Sequence, residues 1–174
     1  IRIATENGLV LLAMTLALRY PKRVRRLVLH EPVLWGVLYE DGTAEDVASF
    51  EAINADGRFF DDDFGGTDEW LQRFVDFCRG EGTCAAMSEP RRASQRSIAA
   101  KMFPEVRQLC LDRTPRATWS ALKMPVRLTC GRDTIRLQKR ALELLMPALG
   151  DARLSEIPGA HMAPITRARS TADA

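Results

Sequence analysis

Two short apolar runs in the last third of the chain each close in a tight loop, one offering a carboxylate and the other an imidazole. They are PVRLTCGRDT (Pro125 to Thr134), with Asp133, and ARLSEIPGAHMAPITR (Ala152 to Arg167), with His161. A histidine just beyond a strand can take a proton from a nucleophile or from water, provided an acid fixes its tautomer through the other ring nitrogen. Asp133 and Glu31 are the two candidate acids. Asp133 follows Gly131 at the end of its own strand and ranks slightly ahead; Glu31 closes an earlier strand. Plain roles stand beside these: a turn aspartate capping its own loop, a glutamate bonded to nearby amides, and a loop histidine packed under helices with Met162 as filler.

The elements needed to position these groups alternate at both ends of the chain. Ile1-Arg2-Ile3 reads as part of a buried strand. Gly8 to Tyr20 (GLVLLAMTLALRY) is apolar on nearly all sides, as a helix buried against a sheet would be, and Pro21 ends it. Val24 to Leu29 is a strand whose β-branched, apolar character fits a central parallel position, so strand, helix and strand suggest a right-handed crossover. Pro125 to Cys130 and Ala152 to Ile157 are two further strands, separated by an amphipathic helix from Leu137 to Leu149. Between Val33 and Thr118 strands disappear and helical patches replace them: Ala44 to Asn54, Thr67 to Arg79, Ser88 to Ala100 and Pro104 to Asp112. Trp70, Phe74 and Phe77 share one face of the second patch at spacings of four and three.

The totals narrow the field of functions. A chain of 174 residues buries one good core. A net charge of +2 is too small to imply nucleic acid or an anionic membrane as partner. Basic runs at Lys22 to Arg26 and Arg91-Arg92 read as solvated surface, and the longest apolar run, Leu9 to Leu18, is short for a membrane span. Cys78, Cys84, Cys110 and Cys130 form no C-x-x-C pair, which fits buried thiols in a reducing, cytoplasmic compartment. With His30 and His161 as the only histidines, the composition argues against a protein-only zinc site.

These segments together resemble the α/β-hydrolase family. ALRYPKRVRRLVLHEPVL (Ala17 to Leu34) is similar to the helix and strand that follow that family's nucleophile elbow, and IPGAHMAPITR is similar to its histidine loop, with one glycine fewer before His161. The resemblance implies an α/β fold: the later strands of a parallel hydrolase sheet at 1–32 and 119–174, with a helical lid inserted at 33–118. It also implies that the chain begins inside the fold, leaving the strand at Ile1 to Ile3 with an uncovered edge that invites aggregation or homodimerisation.

The family's elbow is G-x-S-x-G. Its counterpart here is Ala4-Thr5-Glu6-Asn7-Gly8, which puts Glu6 in the nucleophile slot, while counting back from Tyr20-Pro21 lands on Asn7. A degraded elbow outranks a working Glu6 nucleophile, because glutamate is longer than the aspartate some relatives use; Thr5 is weaker still. The implied activity is hydrolysis of an ester or similar small apolar substrate without a cofactor. His161 would be its base, Asp133 or Glu31 the acid, and Asn7 and Gly8 part of the elbow and oxyanion region. Trp35, Trp70, Phe74 and Met162 would line the substrate site. The competing expectation is a non-catalytic descendant that binds a small molecule or a partner. His30 is read as a structural histidine.

Overall fold

The computed structural model describes residues 1–6 and 8–166. Four strands form one sheet in the order β1-β2-β3-β4: β1 (Arg2–Glu6), β2 (Arg26–His30), β3 (Val126–Gly131) and β4 (Ala152–Ile157). Every pairing is parallel, with Ile3 beside Leu27, Leu27 beside Val126, and Val126 beside Ala152. The loops after β2, β3 and β4 therefore gather at one end of the sheet, as an α/β sheet site requires. Apolar residues dominate the central strands: Leu27, Leu29, Leu128 and Cys130 are all buried.

Helix α1 (Leu9–Arg19) joins β1 to β2 and turns Val10, Ala13, Met14 and Ala17 into the core. The expectation that this helix is buried all round does not hold. Leu9, Leu12 and Leu16 are 63%, 55% and 38% exposed. β1 is an edge strand, and among the described residues no layer covers the far side of its helix. Between β3 and β4 runs α7 (Arg136–Leu145), whose apolar stripe Leu137, Ala141, Leu142 and Leu145 packs on the same core.

Between β2 and β3 the regular elements among the described residues are all helices joined by loops: α2 (Gly36–Asp41), α3 (Ala44–Glu51), α4 (Asp68–Arg79), α5 (Glu89–Leu111) and the short α6 (Arg116–Trp119). Thr43 caps α3 in a reciprocal pair with Asp46, and the buried Asp46 carboxylate also accepts from Arg136 and Arg140 of α7, fastening α3 to the sheet layer. Thr67 caps α4 by accepting from the Trp70 amide. The two expected patches at 88–100 and 104–112 are one helix of 23 residues. Pro104 suggests a break because it lacks an N–H and its ring crowds the preceding turn. Phe103 and Ala99, both buried against α4, supply the tertiary contacts that carry the helix through it. The loop before α4 comes so close that a Cβ on Gly66, which has φ +78°, would lie 2.8 Å from the Ala100 Cα. This helical segment has its own apolar cluster, built on Phe59, Phe64, Trp70, Leu71, Val75 and Phe103. A last turn, α8 (Ala163–Thr166), follows the His161 loop.

Candidate active site

β2 ends at His30, and the next residue leaves the strand with φ +45°, the one non-glycine residue with positive φ among those described. That residue is Glu31. A left-handed backbone at a residue with a Cβ costs about 1 kcal/mol or more and persists where surrounding bonds over-determine it. Here the Glu31 amide donates to the Thr129 carbonyl, and its carboxylate is wholly buried. Oε1 accepts from the Gly131 amide at 2.8 Å, while Oε2 accepts from the Thr134 hydroxyl at 3.0 Å and from His161 Nδ1 at 2.5 Å. Burial pushes the Glu31 carboxyl up. The hydrogen bond and charge of His161, the Gly131 amide and the nearby His30 outweigh it, so the group lies below its ordinary value.

The histidine loop reaches Glu31 because the loop after β3 leaves room for it. The Asp133 amide donates to the Gly159 carbonyl at 2.9 Å, the Arg132 amide to the Ile157 carbonyl at 2.8 Å. A Cβ at Gly131 would stand 2.5 Å from the Gly159 oxygen, so glycine is required where the two loops cross. From the other side His30 Nε2 donates to the His161 carbonyl at 3.2 Å, and its Nδ1 hydrogen-bonds the Thr129 hydroxyl at 3.0 Å. His30 thus has a structural role, as expected: it holds the backbone of the residue whose ring Glu31 holds.

The ranking of the two acids is reversed by this geometry. Asp133 is exposed and binds the histidine loop through its backbone amide, while Glu31 carries the contact to the ring. Thr134, not among the candidate site residues, donates its hydroxyl to the Glu31 carboxylate.

His161 and Glu31 form part of the wall of a cavity of about 300 Å³. Trp35, Phe74 and Met162 also line it, but Trp70 does not. Trp70 is buried inside the helical segment, stacked between Phe59 and Phe74, so it shapes the wall from behind. An apolar stretch of the wall comes from α5: Ile98, Met102, Val106 and Leu109 repeat at spacings of four, four and three. That stripe was readable as one helical face but crosses the supposed break at Pro104. Cys78 also borders the cavity, and burial pushes its thiol up to about 12. Cys84, Cys110 and Cys130 are buried, and all four cysteines are free.

Of the elbow residues, Gly8 lines the cavity. Glu6 ends β1 in register with His30, and Asn7 lies outside the described residues. Thr5 pairs with Leu29 within the sheet, and its buried hydroxyl has no hydrogen-bond partner among the described residues. Among those residues no group of three histidine, cysteine or acidic side chains could hold a metal ion, and no helix is long and apolar enough to cross a membrane.

A wholly parallel sheet with an acid and a histidine at the ends of β2 and β4, beneath a helical insertion, is the α/β-hydrolase fold, and the chain superposes on solved examples of it. One is proline iminopeptidase from Mycobacterium smegmatis, 14% identical, with a TM-score of 0.55 over 99% of this chain and 62% of that one. An α/β-hydrolase enzyme from a Medee basin deep-sea metagenome library is 11% identical, with a TM-score of 0.58 over 98% of this chain and 62% of that one. A hydrolase from Pseudomonas aeruginosa is 20% identical, with a TM-score of 0.56 over 96% and 60%. The chain thus spans less than two thirds of the length of these structures. No family model matches the sequence, and no curated protein aligns with it significantly.

Proposed function

We propose that this chain carries the acid and the base of a cofactor-independent hydrolase acting on an ester or similar small apolar substrate. The observation behind this reading is the 2.5 Å contact between His161 Nδ1 and a fully buried Glu31 carboxylate at the wall of an apolar cavity. With Nδ1–H donated to Glu31, Nε2 of the neutral ring is the proton acceptor. The carboxylate fixes that tautomer and steadies the imidazolium that forms. The nucleophile would come from the turn between β1 and α1, near Glu6 and Asn7, where the first amides of α1 would face a developing oxyanion. In this reading the segment 33–118 is the lid, and Trp35, Phe74 and the α5 stripe select an apolar acyl or alkyl group.

Ala4-Thr5-Glu6-Asn7-Gly8 holds no serine, and this favours a second reading, a hydrolase-like protein that binds its small molecule without turning it over. A chromogenic short-chain ester separates the two. In the hydrolytic reading His161→Ala abolishes turnover, Glu31→Gln lowers it by up to about 10⁴-fold, and Asp133→Asn leaves it intact. Ligand binding with no turnover above that of His161→Ala supports the binding protein.

A further inference from the structure

A second cavity of about 430 Å³ adjoins the first and shares Arg79, His161 and Met162 with it. Its wall differs in character: Thr83, Ser88 and Arg91 contribute polar groups where the first cavity is lined by α5's apolar stripe. Arg79 is the last residue of α4 and Arg91 lies in the first turn of α5, so the α4–α5 connection brings two guanidinium groups to one opening beside His161.

These two arginines differ from most other cations of the helical segment; Arg58, which also has no ion pair among the described residues, lies over the Phe64 ring. Arg73, Arg96 and Arg107 are each paired with an aspartate, and Arg92 donates to the Ala85 and Met87 carbonyls. Arg79 is half-buried, yet among the described residues its side chain makes no hydrogen bond or ion pair. Burial, and then the charge of Arg91, pull its guanidinium below the ordinary value. Among the described residues neither arginine forms an ion pair with a neighbouring acid: Glu31 is taken by His161, Glu89 by Arg96 at 2.7 Å, and Glu105, on the wall of the first cavity, by Lys101 at 3.1 Å. Asp76 accepts from the Cys84 amide, and Glu81 is exposed. Ser88, at the start of α5, makes no capping bond with its side chain although it lines the second cavity. The positive end of a 23-residue helix therefore faces the same opening. A partly desolvated cation beside a like charge is costly unless an anion joins them.

We propose that the molecule processed or bound at the Glu31–His161 site carries an anionic group, a carboxylate or a phosphate, held by Arg79 and Arg91 where the two cavities meet. Its apolar body would extend along Ile98, Met102 and Val106. The inference names the substrate class for the site described under Proposed function and rests on that reading for the reaction only. An anionic head and an apolar body also explain the two unlike cavities meeting at one histidine.

The test is calorimetric titration of the chain at low ionic strength with three probes of matched shape: 4-phenylbutyrate, 3-phenylpropyl phosphate and the neutral 4-phenylbutyramide. At least one anion binds about tenfold more tightly than the amide, the size expected of one charge-assisted pair, and added salt erodes the difference. The tighter anion identifies the head group. Arg79→Gln/Arg91→Gln removes the preference, and Arg79→Lys retains part of it. Should the double variant fail to fold, Arg91→Gln alone, at an exposed position, must reduce the preference. An amide that binds as well as both anions, absence of binding by all three, or a preference that survives the arginine substitutions overturns the proposal. Because binding is measured directly, a chain that prefers the anion yet hydrolyses no ester overturns only the hydrolytic reading.

Discussion

Glu31 combines full burial, a left-handed backbone and three hydrogen bonds to its carboxylate. Its folded pKa lies below the unfolded value, so the stability it contributes is present above about pH 4.3. That contribution fades as pH falls through the lower folded value. Denaturant titrations between pH 3 and 7 should show this loss in the native chain. In Glu31→Gln the corresponding slope should vanish, and stability at neutral pH should fall by about 1–3 kcal/mol as donors lose a charged acceptor. At this scale the sequence was half legible. His161 could be placed because the phrase around it has a recognisable pattern. The choice between Asp133 and Glu31 could not, since it depends on which side chain turns inward after its strand. That is set by a φ of +45° at Glu31 and by the crossing at Gly131, neither visible in local composition.

All four strands and the flanking helices were legible from apolar runs and punctuation, to within a residue or two at most ends. The longer helices of 33–118 were legible in position but not in continuity, and the short α2 and α6 were not anticipated. Pro104 suggested two helices where there is one, because tertiary packing of Ala99 and Phe103 outweighs a local preference. The proline side chain is exposed, so Pro104→Ala restores a donor to the helix without loss of packing. It should raise stability by about 1–3 kcal/mol in chemical denaturation. At α1 the texture misled in the opposite sense, since an apolar helix is not thereby a covered one. Leu9→Glu and Leu12→Glu, at 63% and 55% exposure, should change stability by no more than about 0.5 kcal/mol. The same pair should lower the binding of apolar dyes to the folded chain.

Across the whole molecule two apolar clusters divide the work, one between the sheet and its helices and one inside the helical segment. Trp70, fully buried in the second, should cost about 3–5 kcal/mol when truncated to alanine. It should also alter the cavity through Phe74, which it stacks on. The sheet has a further consequence in its connectivity. β1, α1 and β2 are close in sequence, and so are β3, α7 and β4, but β2 meets β3 only after the chain has travelled through residues 31–125. Glu31 belongs to the first unit and His161 to the second. No partly assembled chain lacking the Leu27–Val126 seam can hold that acid against that imidazole, so any signal from the pair reports a molecule whose two halves have joined.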